Sequence, residues 1–421
     1  MELKYGVDER PPVGATLLYA LQWLLIAVPV VITSTFIAPE GQTVAYTQKV
    51  FGVMGLGMLI QSLLGHRLPL IAGPAAALLT GIIAAVLHGY SNEAIYTAVI
   101  FGGMLITLLG ALGVTEKLMF LFTPRITVSI LLLISFTIAK PIVGLIFSDS
   151  GHLLLAFGFA VLMCLAMAFA NERLRGIWKS MVVSVALIVG SLVWYVFTGF
   201  PEHIARDTVN GTLFIGHLEF DWGVLLAFLF CYITLFINEV GSVQSLGAMV
   251  GAKGMDKRNR RGMTITGVMN MVSGAVGTIG GVDYSLSPGV VASTSCASRY
   301  TLVPAALVMI VIAFCSPVVG ILMTIPATIM GCVLLFLMAT QLSAGFELAN
   351  STKSVTTFRH GMIIGLPVML DVILSFAPNE AIAQIPSLIR PIAGNGFVAG
   401  IVLVLLLEHV LLRDRATKLH G

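Results

Sequence analysis

The stretch "GGVDYSLSPGVVASTSCASRY", Gly280–Tyr300, interrupts a chain that is otherwise apolar for most of its length. It opens on an extended-looking lead, breaks at Pro288-Gly289 and continues through small and hydroxylated residues. A second stretch, "LPLIAGPAAALLTG" (Leu68–Gly81), follows the same plan and breaks at Gly73-Pro74. Backbone in hydrocarbon must satisfy its own hydrogen bonds, so non-helical chain survives there only when buried in protein or lining a cavity. Two short leads can meet that demand by pairing with each other as antiparallel half-strands. The half-helices that follow then begin at the crossing, and their free N–H groups and positive dipole ends suit a polar or anionic ligand. Ala75 and Ala76 on one side, and Leu286, Ser287 and Gly289 on the other, are the residues expected around such a ligand.

Composition sets the surroundings. Of the 421 residues 57% are hydrophobic and 10% charged, and the mean hydropathy is +0.99. Soluble domains carry about 25% charged residues, so this chain is expected to be a polytopic, all-α membrane protein. The five cysteines are scattered through apolar runs without CxxC spacing, which reads as buried free thiols. The histidines form no HExxH-like cluster, and no nucleophile–base pair or phosphate loop is visible. An enzyme, a resident cofactor or metal, and a nucleic-acid partner are therefore not expected. The start "MELKYGVDERPPVGA" mixes acidic and basic residues, unlike a cleavable leader, so the first apolar run reads as a true span.

A membrane helix needs about 20 mostly apolar residues. That ruler gives fourteen spans, near 14–36, 47–65, 68–87, 93–115, 126–147, 152–170, 177–199, 222–248, 262–280, 283–298, 301–324, 326–349, 358–376 and 392–412. With both termini cytoplasmic, nineteen of the 23 Lys and Arg residues fall on inner connections, as the positive-inside rule requires. Fourteen divides into seven plus seven, and an odd number per half inverts the second half. The two broken segments are then third in their own halves. Inverted repeats with interrupted helices at matching positions are the layout of secondary transporters.

Ionisable residues at membrane depth are costly and are functional candidates by default. Glu239, in "LFINEVGSVQ", lies on the eighth span; it can accept hydrogen bonds from a ligand, or take up a proton, since desolvation penalises its charge. The alternative is a packing carboxylate paired with a neighbour. Asp283 opens the tenth segment, either at a solvated outer mouth or at the site. Lys140 precedes Pro141 and reads as structural unless it neutralises an anionic substrate. Asp371 leans the same way, and Gln22 and Trp23 read by pattern as interior residues of the first span, with Trp23 a candidate for substrate contact.

With these residues in hand, the chain resembles the nucleobase–ascorbate, or nucleobase–cation symporter-2, family. "GVDERPPVGATLLYALQWL" (Gly6–Leu24) is similar to the entry of that family's first helix. "ITGVMNMVSGAVGTIGGVDY" (Ile265–Tyr284) resembles its ninth, and "IPATIMGCVLLFLMATQLSAG" (Ile325–Gly345) its twelfth. The resemblance implies a core domain from 1–121 and 201–324, and a gate domain from 122–200 and 325–421. It further implies a dimer in the inner membrane, moving a nucleobase-like substrate with a proton or sodium ion by an elevator motion. The family's tenth-span signature is Gln, Glu or Pro, then Asn-x-Gly and, further on, Thr. Here Gly289 and Thr294 match it, while Leu286 and Ser287 replace the polar pair. On the eighth span the family's substrate-binding Glu stands three residues before a Gly, which is Asn238 here, with Glu239 one step on. Trp23 stands where uracil permeases carry a His. The resemblance therefore implies substrate contact by Asn238 or Glu239, with Glu239 carrying the coupling proton. A second reading keeps the fold but moves a small anion, as in sulfate permeases.

Overall fold

A computed structural model describes residues 3–114, 123–175, 178, 181–200, 211–284, 287–386 and 390–412. In chain order its elements are α1 (Val13–Thr33), α2 (Thr43–Leu63), β1 (Ala72–Pro74), α3 (Ala76–Leu87), α4 (Asn92–Leu112), α5 (Pro124–Thr137) and α6 (Ala139–Ile146). There follow α7 (Leu153–Arg173), α8 (Val182–Thr198), α9 (Trp222–Met249), α10 (Met255–Ala275), β2 (Gly281–Asp283) and α11 (Ser287–Thr294). The chain continues with α12 (Leu302–Ala313), α13 (Ser316–Leu322), α14 (Ala327–Ser351), α15 (Phe358–Ser375), α16 (Asn379–Ala383), α17 (Arg390–Ala393) and α18 (Gly396–Leu406). Among the described residues eight helices are long and apolar enough to cross a membrane, and a bent pair would make a ninth. The protein is a multi-pass membrane protein.

Local chemistry explains where helices start and stop. Ser91, Thr123, Asp221, Thr357 and Asn395 each cap a helix by accepting a backbone N–H of the first turn, which satisfies one of its orphan donors. The bent pair is α12 and α13, which meet at 97°, where one straight span over 301–324 is expected. The cause is Pro317 in the first turn of α13: it has no N–H for the carbonyl four residues back, that of Ala313 at the end of α12, and its ring would clash there in a continuous helix.

Two bodies of packing stand out. In one, α4 lies along α10, α2 along α12, and α9 touches α3, α4 and α10. In the other, α14 packs on α5, α6, α7 and α8, while α15 packs on α5 and α18. The α4–α10 contact is close because glycines recur every seventh residue on both helices. A Cβ on Gly103 would sit 2.6 Å from the Met271 amide nitrogen, and one on Gly274 would sit 2.7 Å from the Tyr96 carbonyl. Small residues that let backbones touch are the main packing device available where lipid competes for apolar surface. In the second body, Arg125 of α5 holds Glu408 by a two-pronged contact of 2.8–3.0 Å, tying α5 to the turn beyond α18.

Candidate functional site

β1 and β2 cross antiparallel, with Ala72 opposite Asp283, Gly73 opposite Val282 and Pro74 opposite Gly281. The ladder extends at both ends, from Ala75 N–H to the Gly280 carbonyl and from Tyr284 N–H to the Ile71 carbonyl, each 2.9 Å. Pro74, lacking an N–H, sits at the strand end, where proline is tolerated. Its carbonyl accepts the Tyr284 hydroxyl at 2.5 Å. Gly73 is required by this crossing: a Cβ there would lie 2.8 Å from the Tyr284 ring. α3 and α11 begin beside the crossing, and no side chain caps α3.

The crossing is held from behind by three helices. Glu239 of α9 is 1% exposed; its Oε2 accepts the Asp283 N–H at 2.9 Å and its Oε1 the Thr266 hydroxyl at 2.7 Å. Thr266 in turn accepts Gln61 Nε2 of α2 at 2.8 Å. Asn270 of α10 donates to the Gly281 carbonyl at 2.8 Å and accepts the Tyr232 hydroxyl at 3.0 Å. His66, in the connection from α2 to β1, places Nε2 2.9 Å from Asp283 Oδ2, short of hydrogen-bond alignment. Its other ring nitrogen accepts the Leu68 N–H at 2.9 Å, so the neutral ring carries its proton on Nε2, facing Asp283. Arg258 caps this corner by donating to the His66 and Arg67 carbonyls at 2.7 and 2.8 Å.

The residues singled out in the sequence divide as follows. Ala75 is buried and spends its N–H on the crossing, while Ala76 is partly buried at the start of α3. Ser287 is buried and accepts the Ile71 N–H at 3.0 Å through its Oγ; Gly289 lies in the first half of α11. Leu286 lies outside the described residues. Asn238 is partly buried, unlike its neighbour Glu239. Trp23 is buried and donates its indole N–H to Thr301 at 2.9 Å. Asp283 is 1% exposed, which overturns the solvated-mouth alternative. The cause is its place in β2, opposite Ala72 and against Glu239 and His66. Lys140 is exposed on α6, whereas Asp371 is buried on α15 and accepts the Thr137 hydroxyl at 2.9 Å.

Gln61, His66, Tyr232, Thr266 and Asn270 carry most of the support, yet nothing in the linear pattern nominates them. The one signal was that each is a polar residue on an apolar or glycine-rich stretch, the mark of a buried hydrogen-bonding role. Trp23→Phe is expected to lower stability by about 0.5–1.5 kcal/mol, the net worth of one buried hydrogen bond, while any transport persists; thermal unfolding of the purified variant checks this.

Paired short strands thus feed two half-helices inside a helical membrane bundle. The chain belongs to the xanthine/uracil permease family: the family model Xan_ur_permease, described as a permease family, matches residues 14–380. The protein is thus a permease rather than an enzyme. It is 26% identical to "Putative purine permease CPE0397" of Clostridium perfringens, over 98% of this chain and 93% of that one. The uric acid transporter UacT of Escherichia coli is 23% identical over 93% of this chain and 85% of its own length. Among solved structures, the transmembrane domain of a cyanobacterial bicarbonate transporter, BicA, shares the fold with a TM-score of 0.63. That match is 15% identical and covers 86% of this chain and 95% of that one.

Proposed function

We propose that the protein imports a nucleobase, uracil, xanthine or a related purine, across the inner membrane together with protons. The observation that carries this reading is the strand crossing at the starts of α3 and α11, in a chain whose relatives include purine and uric acid transporters. The substrate lies between the two half-helix starts, near Ala75, Ala76, Leu286, Ser287 and Gly289. Asn238, more exposed than Glu239, contacts it from α9, with Trp23 behind. Glu239 is the residue the sequence nominates for the coupling proton.

The fourteen-segment, seven-plus-seven repeat belongs to the same proposal. So does the division into a core (1–121, 201–324) and a gate (122–200, 325–421), which the two bodies of packing support. Both termini are cytoplasmic, and the core moves against the gate in an elevator motion within a homodimer.

A second reading, transport of a small anion, draws on the fold shared with the bicarbonate transporter. Exposure of Lys140 weighs against it, since that residue was its expected counter-charge. Thermal unfolding of the purified protein separates the two: xanthine, uracil or uric acid is expected to raise the Tm, and bicarbonate or sulfate is not. Stabilisation by the anions alone would replace the first reading with the second.

A further inference from the structure

Resting on the proton-coupled reading, we propose that Asp283 rather than Glu239 takes up the coupling proton, from water entering a small cavity that Asp283 borders. Both Glu239 oxygens already accept donors. A proton on either oxygen leaves it a weaker acceptor for the donor it already holds. Glu239 is therefore a positioning residue that fixes β2.

Asp283 is the reverse case. Neither of its oxygens has an aligned protein hydrogen bond, and the carboxylate is buried. An unpaired buried charge costs several kcal/mol. A proton or a polar occupant removes that cost. The occupant's place is a cavity of about 20 Å³ lined by Gln61, Thr266, Ser273 and Asp283 among apolar neighbours. One water needs roughly 10–15 Å³ and two or more polar partners. Ser273 Oγ is buried, has no protein partner and borders the same cavity.

Among the described residues no side chain gives either Asp283 oxygen an aligned hydrogen bond. His66 faces Oδ2 with its N–H and spends its other nitrogen on Leu68. Glu239 meets the Asp283 backbone and its carboxylate also acts on the Asp283 side chain, Arg258 is spent on two carbonyls, and the Tyr284 hydroxyl on Pro74. Lys49 of α2 donates to the Val276 carbonyl at 2.9 Å. Protonation is then a simple exchange: hydronium in the cavity gives up one O–H bond, Oδ1 gains it, and neutral water stays behind. His66 cannot pass the proton on while Leu68 holds its second nitrogen, so it orients the carboxylate.

Proteoliposomes with labelled xanthine and an internal pH dye test the proposal. Asp283→Asn, an uncharged stand-in for the acid, is expected to lose gradient-driven accumulation at least tenfold while keeping measurable xanthine exchange. Ser273→Val, which fills the cavity, is expected to do the same and serves if the Asn variant does not fold. Accumulation with proton entry at the wild-type level in either variant overturns the proposal. A wild-type protein whose net uptake of xanthine brings no proton entry overturns the coupling reading as well, and one that moves no nucleobase overturns the transport reading itself.

Discussion

Replacing Glu239 by Leu is expected to abolish xanthine uptake and exchange together, with the protein still inserted but less stable. The carboxylate accepts two buried donors, the Asp283 N–H and the Thr266 hydroxyl. Leu leaves both unpaired at about 1–3 kcal/mol each, so β2 is expected to leave its register against β1 and carry the start of α11 with it. Glu239→Gln keeps an acceptor for Asp283 and asks only that Thr266 turn its hydroxyl. Gln is therefore expected to be milder in stability yet still below wild type in uptake. Thermal unfolding and exchange assays on the two variants check the order; a Leu variant with wild-type exchange would remove Glu239 from the site's support. The pattern differs from Asp283→Asn, where exchange outlives accumulation. That difference separates a residue that places the site from one that carries charge through it.

The second large effect is at the glycine seam of α4 and α10. A Cβ on Gly267 would fall on the backbone nitrogen and hydroxyl of Thr107 and on the Gly103 carbonyl. Backbone cannot swing aside as a long side chain can, so the helices must separate. Overpacking costs about 1–3 kcal/mol and occasionally more, and each 1.4 kcal/mol is about a tenfold change in population. Gly267→Ala is expected to cut folded protein in the membrane roughly tenfold, and Gly267→Val to leave none detectable by size-exclusion fluorescence. Gly158, on α7 with open space around its Cα, is the control: Gly158→Ala is expected to be neutral. Equal yields for both sites would mean that the seam is not as close as described.

Legibility in the sequence followed physical range. Apolar length and Gly-Pro breaks are local properties, so the membrane class and the two interrupted segments stood out directly. The bend at Phe314 and Cys315 was missed because the apolar run hid a local signal, Pro317, behind a stretch long enough for one span. The network behind the crossing was missed for a different reason. Gln61 bonds to Gly262 and Thr266, some two hundred residues away, and His66 sits beside Arg67 in what reads as an ordinary basic connection. Only the fold brings them to Asp283. Glu239 was noticed as a charge at depth, but its role as an anchor depends on Thr266 and the Asp283 amide, neither of which its neighbours in sequence reveal.

Nucleobase movement coupled to protons is tested most directly in reconstituted protein. Proteoliposomes with an alkaline interior are expected to concentrate labelled xanthine, uracil or uric acid above the outside level, to acidify faster when the base is present than without it, and to lose the accumulation once a protonophore collapses the gradient. Vesicles that concentrate none of these bases, or that do so with no dependence on the proton gradient, would contradict it.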